Sequence, residues 1–200
     1  MDNALPFAPA AARNEAPILE VLRRYLAAPM QVLEVGSGTG QHATAFVRAL
    51  PGLRWQPTER PDALEGLRAR VAHDGVDGVS APRSLDVETG PWPAGPFDAA
   101  FTANTCHIMG WEAVQAMFAG VSRVLRPGGP FLVYGPFFEA GVTPAEGNRR
   151  FDETLRRHDP RQGLREVEAL ESLARRHHCS LTASIPMPAN NLTLVFTRDE

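Results

Sequence analysis

The densest chemical signal in the sequence is Glu34-Val35-Gly36-Ser37-Gly38-Thr39-Gly40. Its glycines leave the apolar run Gln31 to Val35 and enter a segment of helical spacing. Backbone there can come close to a ligand, and free helix N-terminal NH groups point towards it. A dinucleotide fingerprint would need its third glycine at position 41, where Gln41 stands. A Walker phosphate loop needs a lysine, and all twenty basic residues of this chain are arginine. Two further acids, Glu59 and Asp86, follow the next two apolar runs. Read singly, Glu59 is a solvated acid beside Arg60 and Asp86 a turn residue. Three acids after three successive runs are a much rarer coincidence.

An acid followed by G-x-G-x-G resembles the first motif of class I S-adenosylmethionine-dependent methyltransferases, and Val124-Leu125-Arg126-Pro127-Gly128-Gly129 is a word typical of them. The resemblance implies S-adenosylmethionine as cofactor, S-adenosylhomocysteine as product and no metal. It assigns Glu34 to organising the turn and the amino-acid end of the cofactor, with Gly36, Ser37, Gly38, Thr39 and Gly40 beneath it. Glu59 would accept from both ribose hydroxyls. Asp86 would accept from the adenine amino group beside the apolar Val87, and Asn104 would close the cofactor site. Closer words recur along the chain: Arg13-Asn14, Gly38-Thr39-Gly40-Gln41-His42, Trp55-Gln56-Pro57, Tyr134-Gly135-Pro136-Phe137, and Met187 to Asn191. Together they resemble the methyltransferase-like 26 family, also described as domain of unknown function 938, from about residue 6 to 198. That family usually has Ser-Asp after Trp-Gln-Pro, where this chain has Thr58-Glu59.

Methyl transfer from a sulfonium is an in-line displacement that asks for alignment and exclusion of water, and for a base only when the acceptor is protonated. His107 is the candidate base, because an imidazole titrates near neutrality; a histidine that only hydrogen-bonds its loop fits the same position. Tyr134 is the second catalytic candidate. With Trp111 and Phe137 these two would face the acceptor. Arg13 and Asn14 read either as a surface arginine with an N-cap or as a lid over the site. Asn190 and Asn191 read either as turn formers or as amides orienting the acceptor. Cys106 reads as a small buried hydrophobe, and in His177-His178-Cys179 adjacent side chains on a helix end diverge with no third ligand evident, so no metal site is expected.

Positioning these residues calls for an alternating scaffold. Helices are expected from Pro17 (N-capped by Asn14) to Leu26, over Ala43 to Leu50, Leu64 to Val71, Trp111 to Leu125, and through Val167, Leu170 and Leu173. Strands are expected at 31–35, 53–56, 83–87, 97–102, 131–134, 181–185 and 192–196. The fold class is therefore α/β: a Rossmann-like, seven-stranded, doubly wound sheet, mostly parallel with an antiparallel last strand, and helices on both faces. One domain spans 1–200, with 1–16 as an N-terminal arm or lid. Residues 136–163 are an inserted loop with a short helix near 151–157, close to the mouth of the site.

Composition narrows the partners. A net charge of -3 supplies no basic field for nucleic acid. No apolar stretch reaches the length of a membrane span, and two isolated cysteines fit a reducing cytoplasm. The expected partner is a small polar methyl acceptor with an N, S or O nucleophile, without nucleic acid or membrane; the pattern sets no oligomeric state. The alternatives are a protein or nucleic-acid methyltransferase, or a non-catalytic cofactor-binding scaffold. Asn104-Thr105-Cys106-His107 lacks the Pro-Pro-aromatic word of nucleic-acid amino-methylating enzymes, and the intact glycines and acids argue against a scaffold.

Overall fold

Parallel neighbours cannot be joined by tight turns, so the first strands are linked by helical crossovers. The computed structural model describes residues 5–200. In it α1 (Pro9–Tyr25) precedes β1 (Gln31–Val35), α2 (Gln41–Ala49), β2 (Arg54–Glu59), α3 (Leu64–Asp74), β3 (Arg83–Ser84) and β4 (Ala99–Ala103). There follow α4 (Trp111–Val124), β5 (Pro130–Gly135), β6 (Phe137–Phe138), α5 (Glu146–His158), β7 (Arg165–Glu166), α6 (Val167–Arg176), β8 (Cys179–Met187) and β9 (Asn191–Arg198). Seven strands form one sheet in the order β3-β2-β1-β4-β5-β9-β8, parallel through β5 and antiparallel at β9. This is the doubly wound sheet expected from the sequence, antiparallel last strand included.

Alternation along the strands divides the core. Val32, Trp55, Phe101, Leu132 and Tyr134 pack under α1 and α2, while Leu33, Ala100, Phe131, Val133 and Phe196 pack under α4 and α6. Glu34, two residues from Val32, shares the α1–α2 face. The chain order 2-1-4 around β1 makes the crevice above β1 and β4 the switch point where ligands collect.

Among the boundaries that differ from the pattern reading, those of α1, β3 and α5 bear on the site. Helix α1 begins at Pro9 rather than Pro17, its N-cap is Ala8 rather than Asn14, and Pro17 lies inside it. Proline suits a first turn, and tertiary bonds secure the early start. Ala8 N donates to Gln41 Oε1 at 2.6 Å, Ala11 O meets His42 Nε2 at 3.0 Å, and Pro6 O accepts from Arg70 at 2.8 Å. Of the arm expected over 1–16, residues 9–16 belong to α1, residues 5–8 precede it without regular structure, and residues 1–4 lie outside the described residues. The third strand stops at Ser84, after which Leu85 N still bonds Glu59 O and Asp86 turns the chain. In the insert, α5 begins five residues early, where Glu146 pairs with Arg149 and Arg150 at helical spacing. The insert returns along β7, which pairs with β6.

Candidate active site

Glu34 is 2% exposed and does not face the crevice. Its Oε2 accepts from Ser37 Oγ at 2.7 Å and from Trp55 Nε1 at 2.9 Å. Burial pushes its carboxyl up to about 7 against these two donors. Ser37 N in turn donates to Thr58 O, and Thr58 Oγ1 donates to Glu34 O at 2.6 Å. The acid thus fastens the first turn of the glycine loop to β2.

At Gly36, φ is +70° and a Cβ would stand 2.7 Å from Thr105 Cγ2. At Gly38, φ is +55° and a Cβ would meet nothing within 4 Å. The first glycine is demanded by packing and conformation. The second borders open space. Gly38 N donates to Glu59 Oε2 at 2.6 Å and Arg60 N to Glu59 Oε1 at 2.9 Å, so the Glu59 carboxylate is fixed at the rim with lone pairs to spare.

A cavity of about 470 Å³ opens here. It brings together Gly36, Gly38, Glu59, Asp86, Val87 and Asn104, six of the ten residues expected to hold a cofactor. Glu34, Ser37, Thr39 and Gly40 support the turn from outside its lining. Asp86 Oδ1 accepts from Glu88 N and Thr89 N, so Asp86 both forms a turn and borders the cavity. Asn104 has φ of +59°, a conformation asparagine tolerates, and its N donates to Tyr134 O at 2.9 Å across β4 and β5.

Further lining residues to which the pattern reading assigned no site role include Thr105, Ile108, Met109 and Glu112 after β4, and Asp159, Arg161 and Gln162 from the insert. The break in strand–helix rhythm at 136–163 was the sequence signal for the last three, and the loop after the fourth strand, which holds Asn104 and His107, for the first four. The lining carries five carboxylates (Glu59, Asp86, Glu88, Glu112, Asp159) against two guanidiniums (Arg60, Arg161). Arg161 donates to Asp159 and holds that carboxyl down to about 2.

The residues expected to serve an acceptor lie outside this lining. His107 is 6% exposed, stacks edge-on against Phe151 at 5.2 Å, and accepts Gly163 N at its carbonyl. Burial, reinforced by the nearby Arg165 charge, lowers its imidazole to about 4, so it is neutral at physiological pH. Phe137 is buried beside Gly135, near His107. Tyr134 is buried on the α1–α2 face, and burial raises its phenol to about 12. Trp111 opens α4, with the Arg165 guanidinium 5.9 Å from its ring centre. Arg13 and Asn14 lie in α1. Asn191 Nδ2 donates to Pro188 O within the β8–β9 turn, and the carbonyl of Asn190, with φ of +57°, accepts from Asn148 Nδ2 and ties that turn to α5. Cys106 is buried and its thiol pushed up to about 12. Among the described residues, no group of three His, Cys, Asp or Glu is placed to hold a metal, and no helix is long and apolar enough to cross a membrane.

A family model described as "Protein of unknown function (DUF938)" matches residues 5–198. The chain is 30% identical over 105 residues to a malonyl-[acyl-carrier protein] O-methyltransferase of Alcanivorax borkumensis, covering 52% of this chain and 34% of that protein. Its fold is similar to that of the S-adenosylmethionine-dependent methyltransferase SibL in its apo form, with TM-score 0.80, 23% identity, and 96% of this chain and 56% of that chain covered. It is also similar to the mitomycin 7-O-methyltransferase MmcR, with TM-score 0.79, 20% identity, and coverage of 94% and 55%. The chain thus spans about a third of the curated relative and little more than half of these solved chains.

Proposed function

The chain belongs to the DUF938 family, and on that premise we propose that it is an S-adenosylmethionine-dependent methyltransferase acting on a small polar molecule by in-line transfer. The observation that carries the reading is the cavity itself. A glycine whose added methyl would enter open space lies beside a fixed rim carboxylate, inside an acidic lining. Such a lining suits a ligand of net positive charge, as the sulfonium and ammonium of S-adenosylmethionine provide, and repels the phosphates of dinucleotides and ATP. The name methyltransferase-like 26 rests on the words quoted from the sequence.

In this reading Gly36 and Gly38 lie under the amino-acid end of the cofactor, with Glu34, Ser37, Thr39 and Gly40 holding the turn. Glu59 binds the ribose diol, Asp86 and Val87 flank the adenine, and Asn104 borders the reacting end. When bound, the sulfonium supplies an electrophilic methyl group. The chain's own residues orient the acceptor and keep water away. His107 is the base of this reading, neutral at physiological pH but held by burial and the Arg165 charge to a basicity well below that of an ordinary imidazole, with Tyr134, Trp111 and Phe137 shaping the acceptor side. Arg13 and Asn14 on α1, and Asn190 and Asn191 at the hairpin, offer polar groups from two further elements. The O-methyltransferase activities named for two relatives support an oxygen nucleophile among N, S and O. The proposed setting is the cytoplasm.

An extract of small metabolites incubated with the protein and methyl-labelled S-adenosylmethionine tests this, with bulk RNA and peptides as parallel acceptors. Label should enter one or a few small molecules. Label confined to RNA or peptide would replace the reading with the macromolecular one.

A further inference from the structure

Part of the cavity wall is built from two segments far apart in sequence: the loop 105–110 after β4, and 159–162 at the end of the insert, whose Arg161 lies within charge–charge range of Glu88, two residues beyond Asp86. Neither is a regular element of the sheet. What joins them is Arg165. Its Nε donates to Cys106 O at 3.0 Å, its Nη2 donates to Arg161 O at 2.8 Å, and Nη2 also donates to Met109 O. All three recorded side-chain bonds go to backbone carbonyls, and the guanidinium lies against the ring of Trp111. Its own backbone is anchored in β7, where Arg165 pairs with Phe137 just beyond the end of β5. A parallel tie, Gly163 N to His107 O at 2.9 Å, joins the same two segments.

We infer that Arg165 is a positioning residue for ligand binding: its fork clips the loop after β4 to the returning insert, so that Ile108, Met109 and Gln162 form a preformed wall for the nucleobase end of the ligand. The inference rests on the cofactor reading above. The chemistry is specific to arginine. A planar guanidinium offers five donors in a fixed geometry and spans three carbonyls, whereas an ammonium is a point charge on a flexible stem. Ordering both segments before the ligand arrives removes that cost from binding. No step of methyl transfer passes through Arg165.

Three measurements on the full chain test this. Calorimetry compares Arg165→Gln and Arg165→Lys with the unaltered protein, using S-adenosylhomocysteine and 5′-methylthioadenosine, which lacks the amino-acid end. Arg165→Gln should bind both ligands about tenfold or more weakly and by a similar factor, and Arg165→Lys should recover only part of the loss. Gln162→Ala keeps the clip and removes one wall side chain, and should weaken both ligands by a smaller common factor. Hydrogen exchange on the unaltered protein needs no variant to fold: S-adenosylhomocysteine should slow amides in both 105–110 and 161–165. Affinities within twofold of the unaltered protein in Arg165→Gln, or a bound ligand that protects neither segment, would overturn the inference. If the unaltered protein bound neither ligand, the cofactor reading itself would fall, and this inference with it.

Discussion

A methyl group added at Gly38 separates a ligand site from a merely tight turn. Gly38 has φ of +55° and borders the cavity, and its Cβ would meet no protein atom within 4 Å. Gly75, the C-cap of α3, has φ of +54° and the same open surroundings, but lies outside the cavity lining. Alanine at either site costs about 1–2 kcal/mol of left-handed backbone strain. For a chain of this length that lowers the melting temperature by roughly 2–8 °C. The two variants should therefore melt alike. Their binding should differ. At Gly38 the methyl occupies space offered to the ligand, and an intrusion of about 1–3 kcal/mol weakens S-adenosylhomocysteine roughly five- to 150-fold. Gly75→Ala should bind as the unaltered protein does. Paired thermal melts and calorimetry give both quantities. Should Gly38→Ala bind within twofold of Gly75→Ala, the ligand does not pass over this turn and the reasoning from it fails.

Other outcomes follow from the same geometry. Gly36→Ala adds a 2.7 Å approach to Thr105 to the same strain, so its melting temperature should fall further than that of Gly38→Ala. Glu59→Ala removes a charged acceptor and should weaken the ligand by about ten- to a hundredfold in calorimetry. His107→Gln, if the imidazole is the base, should slow turnover by about a hundredfold or more while cofactor affinity changes little; unchanged turnover would remove the base assignment. Stability against pH should show two opposed trends. His107 falls from an ordinary 6.5 to about 4, so the unfolded chain binds more protons there, and its contribution is present above 6.5 and lost as pH falls through 4. Glu34 rises from 4.5 to about 7, so its contribution is present below 4.5 and lost as pH rises through 7. Each is on the order of 3 kcal/mol at most. Denaturant melts of His107→Gln and Glu34→Gln across pH 4–8 should each flatten one trend, and parallel curves for both variants would contradict the assignments.

The sheet was legible because its signals are local: apolar runs ending in glycine, helical stripes such as Val114, Met117, Phe118 and Val121, and the alternation Leu192, Leu194, Phe196. The cavity half beside the glycine turn was legible for the same reason, since Gly36, Gly38, Glu59 and Asp86 sit at strand ends. The half beside the insert was not. Arg161, Gln162 and Arg165 are ordinary polar residues by composition, and only contacts 56 and 59 residues away in sequence bring Arg165 to the loop after β4. The start of α1 was missed because Pro17 reads as a helix start, while the bonds that hold Pro9 to Ala12 helical come from Gln41 and His42. The inward turn of Glu34 follows from strand alternation, but its partner Trp55 lies on a different strand.

Direct calorimetric titration of the unaltered protein tests most simply the proposal that the acidic cavity over Gly36 and Gly38 takes S-adenosylmethionine. One molecule of S-adenosylmethionine or S-adenosylhomocysteine should bind per chain, with no heat from NAD or ATP under the same conditions. Binding of the phosphate-bearing nucleotides in place of S-adenosylmethionine, or no binding of either sulfur ligand, would contradict it.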